Sequence, residues 1–304
     1  MSTNQASARG TNLRRLRALV LLGGSVRQGQ LVSQVGRSVF ELPIEKGRSI
    51  LDLWHLEAQR LAALLGRASL PIRVLVDQDA PKPLPVPAEV QVERDPQNYR
   101  GSGGVARDIA VEYADDDVLL VANAAQVLME PLVDLVQRLA AMGGDASIIS
   151  HRNGIPSGLM LFRCGVLREL PEAGFVDLKE QALPTIAAHH QVTVLEVDGP
   201  SGMPVRTPAD YTRALRRYYR RGIESQDGSN AFAEDWESAF AIVEDGAEIH
   251  PTARLHDSVV LQGGRVEAGA VLAHSIVCPG AVIEHNQVIV NGLIASMGDS
   301  TQRG

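Results

Sequence analysis

The chain has 304 residues, of which 45% are hydrophobic and 21% are charged, and its formal net charge is −7. This composition is typical of a globular protein with room for one large domain or two. The negative charge argues against nucleic acid as the main partner, because binding to phosphates requires clustered positive charge. The two distant cysteines, Cys164 and Cys278, argue against a disulfide scaffold and against a zinc site. No apolar run reaches membrane-spanning length, so we expect a cytoplasmic protein with no membrane partner.

The first predicted element is a buried strand that ends in a glycine pair. Residues 18–22 are all apolar and run directly into Gly23 and Gly24, which predicts the first strand and loop of an open parallel sheet. Ligands in such sheets bind beyond the carboxyl ends of the strands. The two glycines would let backbone N–H groups approach a phosphate, and Arg27 could add positive charge. A purely structural turn explains the glycine pair equally well.

Predicted strands and helices then alternate along the chain. Ser49 and Asp52 are spaced as a capping box with Gly66 as the helix stop, and Thr207 and Asp210 mark a later helix start. This alternation predicts right-handed crossovers and a doubly wound sheet. We expect strands at 72–76, 118–122, 146–150, 158–162 and 192–197, and helices at 49–65, 105–113, 131–142, 177–188 and from 208 onwards.

The helix that begins at Thr207 is rich in arginine. One interpretation is a patch that binds an anionic ligand. The other, which we prefer, is a solvated helix face, because cations are favoured near a helix carboxyl end. The residues concerned are Arg213, Arg216, Arg217, Arg220 and Arg221.

The last quarter of the chain has a repetitive pattern. Small and aliphatic residues recur at short spacing, and the segments that begin at Ser258 and Ser275 echo each other seventeen residues apart. This pattern predicts a short left-handed parallel β-helix over residues 247–292, with an irregular β-rich tail as the alternative. The histidines of this region are predicted to be surface or corner residues rather than the catalytic groups of an acyltransferase; they are His250, His256, His274 and His285.

The order of these motifs resembles the sugar-1-phosphate nucleotidyltransferases, the nucleotide-sugar pyrophosphorylases, over residues 17–222. The resemblance implies a doubly wound, Rossmann-like α/β domain, and a β-helix is a common addition in that family. From the composition of the remaining segments we expect a disordered tail at 1–16, a linker with one helix at 223–246, the β-helix at 247–292 and a tail at 293–304. The motifs that carry it are Leu22-Gly23-Gly24, Leu42-Pro43-Ile44, Gly101-Ser102-Gly103-Gly104, Pro156-Ser157-Gly158-Leu159 and Thr207-Pro208-Ala209-Asp210-Tyr211.

The resemblance also implies a set of site residues. Nucleotide-binding positions would be Gly23, Gly24, Arg27, Gly101, Ser102, Gly103 and Gly104. Positions for the sugar or its phosphate would be Asn123, Ser157, Gly158 and Arg206. No catalytic residue is assigned, and Arg27 is the one candidate.

The chain departs from the family at its metal positions. Asn123 stands where the family has a magnesium-binding aspartate, and Arg206 stands near the place of the second. The family's lysine falls near Val39. Magnesium neutralises and aligns the phosphates in this reaction and needs carboxylate ligands. The resemblance therefore implies a site without a metal ion.

Two functions remain open. The first is a catalytically impaired protein that binds a nucleotide or nucleotide sugar, regulates or scaffolds sugar-nucleotide and cell-envelope polysaccharide metabolism, and forms a homo-oligomer or pairs with a related subunit through the β-helix. The second is an active nucleotidyltransferase that makes a nucleotide sugar with Mg²⁺ held by relocated carboxylates such as Asp77 or Asp198. The first needs no cofactor, whereas the second needs Mg²⁺.

Overall fold

We describe a computed structural model of the chain, which covers residues 10–23, 30–76, 82–83, 86–94, 100–152, 154, 156–221 and 238–296. The chain divides into two compact units. The first comprises Met1–Arg27, Trp54–Ala124 and Glu130–Gly202, and the second comprises Gln28–Leu53, Ala125–Met129 and Met203–Gly304. The second unit thus combines the C-terminal residues with three segments that come from the predicted first domain.

The first eleven strands are β1 (Leu16–Leu22), β2 (Pro43–Glu45), β3 (Arg48–Ser49), β4 (Ile72–Val76), β5 (Val90–Arg94), β6 (Val118–Asn123), β7 (Gln126–Leu128), β8 (Ala146–His151), β9 (Pro156–Arg163), β10 (Val192–Val197) and β11 (Gly202–Pro204). The α-helices are α1 (Gln30–Val35), α2 (Ile50–Leu64), α3 (Gly101–Ala110), α4 (Leu132–Met142), α5 (Cys164–Arg168), α6 (Leu183–His189) and α7 (Pro208–Arg220). Among the described residues, no helix is long and apolar enough to cross a membrane.

The first unit is a mixed α/β structure built on one seven-stranded sheet. Its strand order is β10-β8-β9-β6-β1-β4-β5. All neighbouring pairs are parallel except those of β9, which runs antiparallel to both β6 and β8. The predicted strands 18–22, 72–76 and 118–122 correspond to β1, β4 and β6, which are largely apolar and buried. The exception within the predicted spans is Arg73 of β4, which is ion-paired with Glu93 at 2.6 Å.

Helices cover the sheet with apolar side chains. On one face, Val20 and Val121 of the central strands pack in a cluster with Val105 of α3, Leu167 of α5 and Ile186 of α6. Helix α4 packs against β8, β9 and β10. The burial of these residues supplies the main favourable free energy of folding in this unit.

One predicted helix start in the first unit was wrong, and a second predicted helix has the expected bounds but consists of two parts. The helix predicted at 105–113 starts at Gly101, so the four residues Gly101 to Gly104 form its first turn and not a separate loop. The helix predicted at 177–188 is a π-helical turn, Leu178–Ala182, followed by α6. At Gly101, contacts with the distant residue Val176 outweigh the low helix propensity of glycine.

The predicted capping boxes are confirmed. The backbone N–H of Ser49 donates to Asp52 Oδ2 at 2.8 Å, and the N–H of Asp52 donates to Ser49 Oγ at 3.2 Å. Thr207 and Asp210 make the equivalent exchange at the start of α7. Gly66 follows α2 with a φ of +66°, a backbone conformation that favours glycine.

The C-terminal part of the second unit consists of short parallel strands. They are β12 (Ala241–Val243), β13 (Glu248–Ile249), β14 (Arg254–His256), β15 (Ser258–Val260), β16 (Arg265–Val266), β17 (Val271–Ala273), β18 (Ile276–Val277), β19 (Val282–Ile283), β20 (Val288–Val290) and β21 (Leu293–Ile294). They form three sheets with the orders β12-β15-β18-β21, β13-β16-β19 and β14-β17-β20.

Strand pairing in these sheets has one constant offset. Val259 pairs with Ile276, and Leu255 pairs with Leu272, so that each partner lies seventeen residues along the chain. The sequence echo at this spacing is thereby confirmed. The repeats begin at β12, inside the segment 223–246 that was predicted as a linker, and the helix predicted around Trp236 falls on residues outside the described part of the chain.

The repeats share a core and a corner conformation. Their buried side chains form one cluster, which includes Val260, Val266, Leu272, Val277 and Ile283. The corners that follow β14, β17 and β20 are Asp257, His274 and Asn291, with φ values of +44°, +49° and +55°. Non-glycine residues rarely adopt this conformation, and Asn and Asp are among the side chains that tolerate it best.

Candidate functional site

The sheet of the first unit has a point at which the direction of its connections changes. From β1 the chain passes to β4 and then β5 on one side, whereas β6 pairs with β1 on the other side. Leu22 pairs with Asn123 at the carboxyl ends of these two strands, and Gly23 follows directly. Ligands in open parallel sheets bind at such a point. This edge is therefore the candidate functional site.

Backbone hydrogen bonds set the chain directions at this edge. The N–H of Gly23 donates to the carbonyl of Leu75 at 2.8 Å, and the N–H of Ala124 donates to the carbonyl of Leu22 at 3.0 Å. The first bond ties the start of the glycine loop to the end of β4. The second holds the chain after Asn123 against β1. Gly23 and Asn123 are both half-buried.

Ser157 and Gly158 lie at the same edge because β9 runs antiparallel to its neighbours. Gly158 has a φ of +82°, and a Cβ at this position would lie 2.9 Å from the Cβ of Asn123. Ser157 is 8% exposed, and its Oγ accepts a hydrogen bond from the N–H of Leu159 at 3.1 Å. The structure thus brings together three of the predicted sugar-binding residues, Asn123, Ser157 and Gly158.

The predicted residues 101–104 are all buried and contact protein. The N–H groups of Gly103 and Gly104 donate to the carbonyl of Val176 at 2.8 and 3.3 Å. Ser102 Oγ accepts from the N–H of Leu178 at 2.9 Å. These contacts fasten the start of α3 to the segment before the π-helical turn. The role of the four residues in nucleotide binding stays a prediction.

The remaining predicted site residues lie outside the described part of the chain or in the second unit. Gly24 and Arg27 lie outside the described residues. Arg206 is exposed in the second unit, directly before the capping residue Thr207 of α7. Their roles also stay predictions.

The carboxylates considered for magnesium do not form a metal cluster in the described residues. Asp198 is exposed and ion-paired with Arg152, and Asp77 lies outside the described part of the chain. Asp117 precedes β6 at the opposite edge and pairs with Arg17 at 2.8 Å. Asn123 supplies an amide where a carboxylate would be needed.

Both cysteines are buried and free. Burial raises the pKa of the Cys164 thiol to about 12, and Asp117 adds to this effect. Burial likewise raises the pKa of Cys278 to about 11. Neither thiol forms the reactive thiolate at neutral pH, so both act as small apolar core residues.

Sequence reasoning missed one cluster of chemically active side chains. His256, Asp257 and His274 place three potential ligand atoms within 4.8 Å of one another, in the second unit. A signal was present, since Asp257 and His274 immediately precede the two serines that echo at seventeen residues. Arg216 of the arginine-rich helix joins this cluster, with its Nε 3.3 Å from Asp257 Oδ2.

Comparison with known proteins gives little further guidance. No protein-family model matches the chain, and no curated protein matches it. Among solved structures, it is similar to the crystal structure of a Mycobacterium tuberculosis Rv0371c homologue from Mycobacterium sp. strain JC1. The sequence identity is 17% and the TM-score is 0.46, over 68% of this chain and 98% of that chain.

Proposed function

We propose that this protein is a catalytically impaired relative of the sugar-1-phosphate nucleotidyltransferases that binds a nucleotide or nucleotide sugar. The binding site is the carboxyl edge of the seven-stranded sheet, between β1 and β6. The observation that carries the proposal is the placement of Asn123 at the end of β6, beside Gly23 and Gly158. In the family that the sequence resembles, this strand ends in a magnesium-binding aspartate.

The strand order supports a Rossmann-like domain. The strands β5-β4-β1-β6 follow the order 3-2-1-4 of doubly wound nucleotide-binding sheets. The three C-terminal sheets with their seventeen-residue offset support a short left-handed β-helix, in which each sheet is one side of the coil. We therefore include a Rossmann-like domain and a left-handed β-helix in the proposal.

The chemistry of the nucleotidyltransferase reaction explains why the protein would bind a nucleotide sugar without catalysing its synthesis. Attack of a sugar phosphate on a nucleoside triphosphate brings two polyanions together, and magnesium reduces their repulsion and aligns the leaving pyrophosphate. An amide at position 123 is a poorer magnesium ligand than a carboxylate. A nucleotide sugar carries less charge than the two substrates together, so its binding depends less on the metal. We infer that the protein senses or holds the product rather than making it, in a regulatory or scaffolding role in polysaccharide metabolism.

We expect nucleotide sugars to bind equally well with magnesium and with a chelator, and pyrophosphate release to be absent. Isothermal titration over a panel of bases and sugars measures the first, and a coupled phosphate assay with matched triphosphates and sugar phosphates measures the second. Robust magnesium-dependent release with any substrate pair would overturn the proposal. It would instead favour an active nucleotidyltransferase with relocated carboxylates, for which Asp198→Asn is the next variant.

Arg206 provides a second arm of this experiment. If its guanidinium holds a nucleotide phosphate through paired N–H donors, Arg206→Ala should weaken binding by about 1.5–3 kcal/mol. Arg254→Ala, at an exposed arginine of β14, is the matched control and should leave the affinity unchanged. Equal affinities of both variants would remove Arg206 from the site and leave the rest of the proposal standing.

We further propose that the protein self-associates through its last strands. Strands β19, β20 and β21 stand at the ends of their sheets. Val288 and Val290 of β20 are 66% and 58% exposed. An exposed end strand with apolar side chains is a template for pairing with a second copy of the same strand.

We expect the double variant Val288→Lys, Val290→Lys to lower the molecular mass measured by light scattering. Two charges on each copy would repel across the contact. Val111→Lys, at a 51% exposed valine directly after α3 in the first unit, is the control and should keep the wild-type mass. A wild-type protein that is already monomeric would contradict the proposal.

A further inference from the structure

The corner after β14 stacks directly on the corner after β17. Asp257 and His274 occupy equivalent positions of successive repeats, seventeen residues apart, and both have left-handed backbone conformations. His256 is the last residue of β14 and directly precedes Asp257. The two imidazole rings meet edge to face with centroids 5.3 Å apart. Nδ1 of each ring lies 3.9 Å from Asp257 Oδ2.

The carboxylate of Asp257 is fully buried, and its two oxygens have different surroundings. Oδ1 accepts hydrogen bonds from the N–H of Ala239 at 2.6 Å and of Phe240 at 3.2 Å. Among the residues that the structure describes, no donor has hydrogen-bond geometry toward Oδ2, although Arg216 Nε forms an ion pair with it at 3.3 Å. Buried polar atoms without hydrogen bonds are rare, and a bound ion is one partner that would satisfy this oxygen.

We propose that His256, Asp257 and His274 bind a divalent metal ion of the zinc class. Two imidazole nitrogens and one carboxylate oxygen form a donor set that Zn²⁺, Co²⁺ or Ni²⁺ prefers, whereas Mg²⁺ and Ca²⁺ prefer oxygen ligands alone. Ligands of one tetrahedral ion with bonds of about 2.0–2.1 Å lie about 3.4 Å apart. The two separations between a histidine and Asp257 are 3.9 Å, and all three ligand atoms lie within 4.8 Å of one another, so small side-chain shifts would complete the site. The proposal is independent of nucleotide binding.

The sequence argued against a zinc site because it has no cysteine pair. The proposed site uses histidine and aspartate ligands, so that argument does not apply to it. The corner geometry supplies a different set of ligands. Because Asp257 is fixed through Oδ1 to the preceding repeat, its second oxygen is held in place before an ion arrives. Preorganised ligands of this kind lose little conformational freedom on binding.

The fourth position of the ion would face an open cleft. His274, Arg216 and Asn291 line a cleft of about 300 Å³, together with Thr212 and Arg213 of α7. Three protein ligands with one open position are typical of zinc sites that hold a water molecule or an exchangeable ligand. We infer that the fourth ligand is water or a small anion, since the arginines add positive charge to the cleft.

The charge of Arg216 leads to a specific prediction for metal affinity. Without a metal ion, its guanidinium offsets the buried charge of Asp257. With a metal ion, the two positive charges repel each other. Removal of the guanidinium should therefore increase metal affinity, whereas removal of a ligand should decrease it.

The test measures metal binding by the tag-free, full-length protein. Isothermal titration with ZnCl₂ should give one ion per chain, and Co²⁺ should give the visible absorption of a tetrahedral nitrogen and oxygen site. His274→Asn keeps a residue that tolerates the left-handed corner and should weaken binding at least about tenfold. His256→Gln should do the same, and Arg216→Met should strengthen binding several-fold. Millimolar Mg²⁺ should not compete.

The control is His285→Gln, at an exposed histidine of the same region, which should bind as the wild type does. Circular dichroism melting shows whether each variant folds, and only folded variants are compared. Wild-type protein that binds no ion, or folded His256 and His274 variants that bind as tightly as wild type, would overturn the proposal. Weaker binding by Arg216→Met would also contradict it, because the proposed position of the ion requires repulsion from this side chain.

Discussion

Gly101→Ala is expected to destabilise the protein by about 2–5 kcal/mol, the sum of a left-handed backbone penalty and overpacking. Gly101 has a φ of +72°, and a Cβ at this position would lie 2.5 Å from the carbonyl oxygen of Val176. That atom belongs to the backbone, and Val176 is itself held by a hydrogen bond from its N–H to the carbonyl of Arg100. The contact therefore cannot be relieved by rotation of a side chain. Urea unfolding followed by circular dichroism measures the loss.

Gly66→Ala is the matched control for this prediction. Gly66 has a similar φ of +66°, but a Cβ there would meet no atom within 4 Å. Gly66→Ala should therefore lower the free energy of unfolding by the left-handed backbone penalty alone, about 1–2 kcal/mol. The difference between the two variants isolates the steric contribution of Val176. Equal losses in both variants would contradict the close approach of the two segments.

Arg100→Met is expected to lower the free energy of unfolding by about 2–4 kcal/mol, because it removes a buried side chain that donates four hydrogen bonds, two of them to a carboxylate. Arg100 is 1% exposed. Its Nε and one terminal nitrogen each donate to Asp108 at 2.8 Å, and its terminal nitrogens donate to the carbonyls of Pro171 and Gly174 at 3.0 Å. The side chain thus ties α3 to the segment that follows α5. Methionine has similar length and keeps the apolar packing.

The control for Arg100 is Arg138→Met. Arg138 pairs with Glu130 at 3.1 Å, with 43% and 32% of the two side chains exposed. Solvent-exposed pairs of this kind contribute up to about 1 kcal/mol. A cost for Arg100→Met no larger than that of the control would show that the buried network is dispensable. Stability is again measured by urea unfolding.

The difference in the free energy of unfolding between wild type and Arg100→Met should be smaller in acid than at neutral pH. Burial of the Asp108 carboxyl raises its pKa, but the hydrogen bonds and charges of Arg100 and, to a smaller extent, Arg107 outweigh this effect, so that the pKa is lowered in the folded state. A lowered pKa stabilises the fold above the unfolded pKa, and this contribution is lost as the pH falls through the folded pKa. Unfolding measured from pH 7 down to about pH 2 follows the change, since the contribution begins to fall near the unperturbed Asp pKa of about 3.9.

The buried strands and the helix caps could be predicted because their signals are local. The run 18–22 is apolar on both faces, and Ser49 and Asp52 meet within one turn of helix. The start of α3 could not be predicted in this way. Gly101 and Gly103 have low helix propensity, and the partner that makes them necessary, Val176, lies more than seventy residues away.

The candidate site was predictable only in part. The ordered motifs pointed to Asn123, Ser157 and Gly158, which do lie together at one edge of the sheet. The histidine and aspartate cluster depends on how successive repeats stack, and its members are ordinary polar residues in the sequence. The seventeen-residue echo was visible, but the left-handed conformations that aim Asp257 and His274 at each other are known only from the structure.

The constant pairing offset restricts how the C-terminal segment can change in length. Loss of a single residue between β14 and β17 would shift each strand pair that spans the deletion by one residue and turn the side chain of Leu272 from the core toward solvent. Loss or duplication of seventeen residues would instead place an equivalent residue in each pairing position. Evolution can therefore lengthen or shorten this segment only in whole repeats, whereas the seven-stranded sheet tolerates changes in its loops one residue at a time.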